Sequence, residues 1–233
     1  MRPKHSPEIL GLLKSGFPRG CIFYEINPGS STDPKERHAY REIKRICEEQ
    51  GVNSVPELYV VGTDPSYAIS KQYTLPYVWV LKLKVGKNAP SAIIMTEQMI
   101  EQFDKQAITA SIEHEVSHIG RGHQDKLVQL AKWNDNKQYG LIRINSLKKR
   151  QELQADEGVS NPKAFVGALE DIKTALTKLI KDGLRECDNC SEQQLEIKAK
   201  QRVRTLMGKD HPSDHVRYKH LFTHRKDETD RSR

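Results

Sequence analysis

The sequence HEVSH places two histidines, His114 and His118, on either side of one glutamate, Glu115. Residues four positions apart on a helix share a face, with Cβ atoms about 6 Å apart. Two imidazoles at that spacing can bind one Zn²⁺, and a glutamate beside them can accept a proton from a water molecule that the metal polarises. The segment therefore predicts one zinc ion per chain, with His114 and His118 as ligands and Glu115 as a general base for hydrolysis.

The residues around this motif favour the helix that the spacing requires. No glycine or proline occurs over 106–113, and apolar side chains recur at helical spacing at Ile108, Ile112, Val116 and Ile119. Such a stripe predicts a helix that buries one face and presents both histidines to a cleft. The alternative is an ordinary helix whose histidines lie at the surface.

A catalytic zinc usually has three protein ligands, and two residues could supply the third. His123 is close in sequence, but the extended metzincin pattern needs a glycine and a histidine at positions that Arg121 and Gln124 occupy. If it is not a ligand, His123 caps or solvates the end of the active-site helix. The second candidate is Glu152, which follows at a distance that allows a loop and a returning helix.

Glu152 and Asp156 are four residues apart in the sequence ELQAD and would share one face of a helix. One carboxylate can bind zinc while the other accepts the second N–H of a ligand histidine, which fixes the tautomer of that ring. The alternative is an exposed acidic pair on a polar helix. The residue types alone leave both Glu152 and His123 open as the third ligand.

The two motifs in this order, HEVSH and then ELQAD, resemble those of the gluzincin metallopeptidases. The chain looks most similar to the branch that holds the HtpX-like heat-shock proteases, the CAAX prenyl endopeptidases and the soluble minigluzincins. That branch also carries His-Pro and then an arginine six residues after the histidine, as His211, Pro212 and Arg217 do here. The resemblance covers the chain from about Asp33 to about Leu221.

This resemblance implies a soluble zinc endopeptidase with a zincin-like fold and Glu152 as the third metal ligand. It also implies that His211 stabilises the oxyanion of the transition state, and that Arg217 braces the site against Asp156 or a nearby carboxylate. The HtpX-like and prenyl-endopeptidase members are embedded in membranes, whereas no apolar run here approaches the ~20 residues of a membrane span. Their membrane-protein and prenyl-peptide substrates are therefore not expected.

The predicted elements form an α+β fold, with a small sheet of about three or four strands followed by the active-site helix and several packed helices. Strands are predicted near 58–61, 77–85 and 92–95. Helices are predicted from Asp33 to Gly51, from Pro162 to Gly183 and after Ser191, with a short one after Pro212. The resemblance implies that Ile93, Ile94 and Met95 lie in the edge strand that pairs with substrate. The alternative is that these three residues are sheet core.

A chain of 233 residues predicts one domain. We expect an N-terminal extension over 1–30, a single zincin-like domain over 31–221 and a disordered charged tail over 222–233. The net charge of +7 permits an anionic partner such as nucleic acid. The basic residues are spread among acidic ones, however, so the expected partner is a peptide or protein substrate. The sequence makes no prediction of the oligomeric state.

No apolar segment follows the first residues, so we expect no signal peptide and a cytoplasmic location, with leaderless export as the alternative. The pair Cys187 and Cys190 stands alone and is interpreted as a turn. Two other functions stay open: a catalytically silent zincin-like binding or regulatory module, and a DNA-associated protease. The presence of Glu115 argues against the first, and the lack of a compact arginine stripe in the sequence argues against the second.

Overall fold

The computed structural model describes residues 7–16, 21–26, 31–63, 78–82, 89–132, 137–185, 190–210 and 212–231. Within these ranges the protein is an α+β structure with one small mixed sheet and a larger share of helix, which confirms the predicted class. None of the helices in these ranges is long and apolar enough to cross a membrane.

The strands are β1 (Cys21–Glu25), β2 (Glu57–Thr63), β3 (Val78–Lys82) and β4 (Ser91–Thr96). They form one sheet in the spatial order β1-β2-β4-β3. Strands β2 and β4 are parallel, whereas β1 pairs antiparallel with β2 and β3 pairs antiparallel with β4.

The helices precede, connect and follow these strands. They are α1 (Pro7–Gly16), α2 (Pro34–Glu49), α3 (Glu97–Gln102), α4 (Lys105–Gly120), α5 (His123–Lys132), α6 (Lys137–Asp156), α7 (Pro162–Arg185), α8 (Glu192–Asp210) and α9 (Asp214–Arg231). Of these nine helices in the described ranges, five follow the helix that carries HEVSH, in agreement with the predicted order of elements.

Strand β4 lies inside the sheet, so the prediction that Ile93, Ile94 and Met95 form a substrate-pairing edge is wrong. All three side chains are completely buried, because β4 has a neighbouring strand on each side and helices pack on both faces of the sheet. A continuous apolar run is what a strand with two covered faces requires. The three residues are sheet core, and β3 is the terminal strand on that side of the described sheet.

The two faces of the sheet bury two different sets of side chains, since successive residues of a strand point in opposite directions. In β2, Leu58 and Val60 point towards α2 and α4 and belong to the larger core. Tyr59 and Val61 point to the other face, where they contact residues of α1. The sheet is thus sandwiched between helices, and α4 is held against its larger core.

The first elements belong to the folded unit, although the sequence predicts an extension there. Strand β1 pairs with β2 along its whole length. On α1, Ile9 and Leu13 are almost completely buried against the sheet. Helix α1 therefore covers the second face of the sheet, which would otherwise be exposed to water.

Helices α2 and α4 begin where an aspartate satisfies the first free backbone N–H groups. Asp33 accepts hydrogen bonds from the N–H groups of Lys35 and Glu36, as the sequence predicts. Asp104 accepts one from the N–H of Ala107 at 2.8 Å. The Asp104 cap sets the starting point of α4 and therefore the phase in which its histidines face the rest of the molecule.

The C-terminal helices agree with the prediction at their start and differ at their end. Ser191 and Gln194 form the predicted capping box, in which each side chain accepts the backbone N–H of the other. The backbone of α9 is helical through Arg231, where the sequence predicts a short helix and a disordered tail over 222–233. Lysine, arginine and glutamate favour disorder by their charge, but they are also good helix formers.

Candidate metal centre

Helix α4 brings His114 and His118 together on one face. Their Nε2 atoms are 3.1 Å apart, and His114 is buried while His118 is partly buried. The core side of the same helix carries Ile108, Ile112 and Val116. The predicted helix is therefore confirmed, and the alternative of two histidines exposed at the surface is wrong.

Helix α6 brings Glu152 to these histidines. Its Oε2 lies 3.5 Å from Nε2 of His114, and its Oε1 lies 3.5 Å from Nε2 of His118. One ligand atom from each of the three residues lies within 4.8 Å of the other two, and no other such group of His, Cys, Asp and Glu occurs in the described part of the chain. These three side chains could therefore hold one metal ion.

The orientation of His114 suits a metal ligand. Oδ1 of Asp156 lies 3.0 Å from Nδ1 of His114 and can accept its proton. That contact leaves Nε2 of the ring, which faces His118 and Glu152, available for a metal. Two imidazole nitrogens and one carboxylate oxygen form the ligand set that several catalytic zinc sites use, so the residues present fit this ion.

His123 lies behind the ligand group instead of within it. Its Nδ1 is 2.9 Å from Nδ1 of His118, which is the nitrogen that faces away from His114. The imidazole of His123 is buried, and Gln151 donates a hydrogen bond to its backbone carbonyl at 3.0 Å. His123 therefore holds the ring of His118 in place. It is buried inside the molecule, whereas one prediction from the sequence is that it caps or solvates the end of the active-site helix.

Arg217 of α9 completes the group of buried charges. Its Nε and Nη2 each donate to Asp156 at 2.7 Å, one to each carboxylate oxygen, and its Nη2 is 3.4 Å from Oε2 of Glu152. The guanidinium lies over the ring of Phe165 at 5.1 Å, and the same ring stacks with His114 at 5.0 Å. The structure thus brings Arg217, Asp156 and His114 together in the order that the sequence motifs suggested.

The surrounding charges separate the pKa values of the histidines. Burial opposes protonation of His114, but its hydrogen bonds to Asp156 and Glu152 outweigh burial and raise its pKa to about 9. Burial, and then the nearby charge of His114, lower the pKa of His118 to about 3. Burial is also the main reason that the pKa of His123 falls to about 4. Without a metal, His114 is therefore the one of these three histidines that carries an extra proton at neutral pH.

Glu115 faces a small cavity beside the ligands. The cavity has a volume of about 60 Å³, enough for a water molecule, and the side chains of Phe165, Leu169 and Ile172 on α7 form an apolar wall of it. Burial raises the pKa of Glu115 to about 7, although the charge of His114 opposes this shift. A carboxyl group with that pKa beside a space for water can both accept and return a proton near neutral pH.

Helices α4 and α5 also contact the terminal strand β3. The side chain of Gln124 donates to the carbonyl oxygen of Val80 at 2.8 Å, and the carboxylate of Glu115 accepts the N–H of the same residue. These contacts, like the ring of Phe165 against His114, have no signal in the sequence. Phe165 is indistinguishable there from the other apolar residues of the α7 stripe, because only the crossing of α4 and α7 brings it to the site.

His211 lies outside the described residues, as do Cys187 and most of the segments that connect β2, β3 and β4. Within the described part, the predicted residues His114, Glu115, His118, Glu152, Asp156 and Arg217 form one cluster, whereas Ile93, Ile94 and Met95 do not line its cavity. No protein-family model matches this chain, and no curated protein matches it either.

Proposed function

We propose that this protein is a zinc-dependent endopeptidase. The observation that carries the proposal is the convergence of His114, His118 and Glu152 on a common point, with the carboxyl of Glu115 beside it. A site that only stabilises the fold usually surrounds zinc with four protein ligands. Three converging ligands, a general base and a cavity that can hold water support hydrolysis instead.

Zinc, when held by His114, His118 and Glu152, would supply Lewis acidity to a water molecule and to the carbonyl group of the substrate. The carboxylate of Glu115 takes up the proton that the attacking water loses. It then delivers this proton to the nitrogen of the leaving amine, and its pKa of about 7 suits both transfers. The apolar wall on α7 limits the access of other water to these groups.

The remaining residues of the cluster hold the ligands in place. Asp156 accepts the Nδ1 proton of His114, and Arg217 keeps Asp156 ionised and correctly oriented through two hydrogen bonds. Asp156 is buried, and its charge is tolerated because the hydrogen bond from His114 and the charge and hydrogen bonds of Arg217 favour the ionised form. On the other side of the site, His123 fixes the ring of His118.

In this proposal the substrate peptide pairs with strand β3, and not with β4 as the family resemblance implies. The N–H and carbonyl of Val80 both bond to side chains of α4 and α5, so they point away from β4 and towards the candidate site. An extended peptide that adds to β3 would replace these contacts by backbone hydrogen bonds. Displacement of Val80 from Glu115 would also release the carboxylate for its role as a base.

The decisive variant is Glu115→Gln, which keeps the shape of the side chain but removes its ability to accept a proton. We expect it to bind one zinc per chain and to cleave an unstructured protein about 10²- to 10⁴-fold more slowly than the wild type. Metal content is measured by inductively coupled plasma mass spectrometry, and cleavage by mass spectrometry of the products.

Glu101→Gln is the matched control, because it makes the same change on an exposed residue of α3. It should leave both metal content and cleavage unaltered. A chelator should abolish cleavage by the wild type, and zinc should restore it. Unreduced cleavage by the Glu115→Gln protein would refute the assigned base, and a zinc-loaded wild type that cleaves no peptide would favour the silent binding module.

A further inference from the structure

A second and much larger cavity lies beside the candidate metal centre, between α6, α7, α8 and α9. Its volume is about 940 Å³. Besides Arg217, it is lined by six lysine and arginine side chains against only two glutamates. The six are Lys149, Lys173, Lys178, Lys181, Lys200 and Arg204. The described walls of this cavity therefore carry a surplus of positive charge.

The two glutamates already bind lysines of the same cavity. Glu170 lies 3.2 Å from Nζ of Lys173. Glu196 lies 2.8 Å from Nζ of Lys181 and 3.2 Å from Nζ of Lys200. Neither carboxylate is available to balance a further cation without giving up one of these pairs.

Lys149, Lys178 and Arg204 have no acidic partner within the described part of the chain. They come from three different helices, α6, α7 and α8, and all three side chains are exposed. Cations that face one cavity from three sides repel one another, and an anionic ligand relieves that repulsion. The arrangement points to a ligand that carries several negative charges.

This cavity adjoins the small cavity at the metal centre. Leu169 and Arg217 line both the basic cavity and the small cavity beside Glu115. Arg217 is already bound to Asp156, so it forms part of the shared wall and does not itself need an anionic ligand. A chain held in the basic cavity would therefore lie next to the metal ligands.

The other lining residues favour a polypeptide over a nucleic acid. Among the described lining residues none is Phe, Tyr or Trp, which are the side chains on which unpaired bases stack. The free cations are mainly lysines, whereas arginine is preferred for phosphate recognition. Leu169, Val203 and Pro212 provide apolar contacts that suit the side chains of a peptide.

We propose that the basic cavity binds an acidic segment of the polypeptide substrate, next to the bond that is cleaved. This inference rests on the proposed peptidase function and names its substrate class: polypeptides with clustered aspartate or glutamate residues near the cleavage site. The cavity then raises the effective concentration of the scissile bond at the metal centre by holding a neighbouring part of the same chain.

The test measures binding and cleavage separately. Fluorescence anisotropy follows two labelled peptides on the full-length Glu115→Gln protein, one of alternating glutamate and alanine and one with glutamine for each glutamate. We expect the glutamate peptide to bind at least about tenfold more tightly at low salt, and the difference to shrink as salt screens the charges. Equal binding of the two peptides would overturn the proposal.

The variants Lys178→Gln and Arg204→Gln, combined, should weaken binding of the glutamate peptide by about tenfold and leave the glutamine peptide unaffected. The matched control combines Lys44→Gln and Arg41→Gln, which remove the same charges from exposed positions on α2. Equal loss in both double variants would mean that net charge alone attracts the peptide. Tighter binding of oligothymidylate than of the glutamate peptide would overturn the proposal in favour of a nucleic acid.

Cleavage of both peptides by the wild type is the second readout. Selective, salt-sensitive binding of the glutamate peptide without cleavage of either peptide would refute the peptidase function and support the acidic-ligand site. Cleavage of both peptides at equal rates, with equal binding, would support the peptidase function and overturn the role of the cavity.

Discussion

His114 has the most constrained side chain in the metal centre. Its Nδ1 faces Asp156, its ring stacks on Phe165, and its Nε2 points to His118 and Glu152. In the absence of metal, the two neighbouring carboxylates favour the imidazolium form, whereas zinc can bind only the neutral ring. Under the proposed function, protons and zinc would therefore compete for His114.

The stability of the zinc-free protein should fall as the pH rises, because of this histidine. Its folded-state pKa of about 9 lies above the ordinary value of 6.5. The contacts with Asp156 and Glu152 that raise this pKa stabilise the folded protein fully below pH 6.5. This stabilisation is lost as the pH rises through 9. We expect a loss on the order of 3 kcal/mol in the free energy of unfolding, measured with urea in the presence of a chelator.

The His114→Gln variant is the control for this pH dependence. It lacks the titrating ring, so its free energy of unfolding should change much less between pH 7 and pH 10. An equally steep decline in the variant would assign the effect to other groups. Zinc uptake by the wild type should release protons at neutral pH, which a pH indicator in weak buffer detects.

The third metal ligand can be tested at Glu152 and His123. Glu152→Ala should lose stoichiometric zinc, because it removes a donor atom of the triad. His123→Ala should retain it with an affinity lower by about tenfold, as for other residues that orient a ligand histidine. Competition with a fluorescent chelator gives both affinities. If the His123→Ala protein lost zinc and the Glu152→Ala protein retained it fully, His123 would be the third ligand in place of Glu152.

At the scale of the elements, the metal centre depends on the close approach of α4 to the end of α6. Gly158 lies two residues after the end of α6, and a methyl group built on it would overlap the hydroxyl oxygen of Ser117 on α4. The Ser117 hydroxyl is buried and also donates to Gln50, so it cannot move aside freely. Glycine at this position thus permits the distance between the two helices that the triad requires.

Gly158→Ala should lower the free energy of unfolding by about 2 kcal/mol, because the extra methyl forces the helices apart. It should also weaken zinc binding, since His118 and Glu152 lie on the helices that separate. Gly167→Ala is the control: nothing lies within 4 Å of its added Cβ, and alanine should stabilise α7 by up to about 1 kcal/mol. Urea denaturation measures both variants, and equal stability of the two would contradict this packing argument.

At the scale of the molecule, the cluster connects elements that are far apart in the sequence. The three side chains that could hold a metal come from α4 and α6, and Arg217 of α9 is bound to Asp156 at the end of α6. On the other side, α4 packs on the sheet through its apolar stripe. A metal ion in the triad would therefore stabilise the contact between the sheet-bound helix and the C-terminal helices.

Zinc should accordingly raise the thermal stability of the whole chain. At a free concentration one hundredfold above its dissociation constant, a ligand of the folded state adds about 2.7 kcal/mol. Differential scanning calorimetry with zinc and with a chelator measures the shift in Tm. Glu152→Ala should show almost no shift, and an equal shift in that variant would place the stabilising metal elsewhere.

Helical periodicity explains why much of the site could be predicted from the sequence. A spacing of four residues places His114 with His118, and Glu152 with Asp156, whatever the rest of the fold is. The capping residues Asp33 and Ser191 act on neighbouring backbone groups, so their helix starts are equally local. The α+β class followed from the same local patterns.

The position of β4 in the sheet and the role of His123 could not be predicted in this way. An apolar run such as Ile93 to Met95 is compatible with either an edge or an interior strand until its neighbours are known. Likewise, His123 bonds to His118 only because the chain turns at Gly122, where φ is +61°, and starts α5 beneath the site. The basic cavity, too, exists only because α6, α7, α8 and α9 converge.

The sequence alone therefore predicts a histidine pair in HEVSH and an acidic pair in ELQAD, because the two members of each pair lie within a single helix. Whether the two pairs meet, how Arg217 reaches Asp156, and which strand borders the site depend on the packing of α4, α6 and α9 and on strand order. Those contacts join residues widely separated in the sequence, and their free energy comes from burying the surfaces between elements, which no short segment contains.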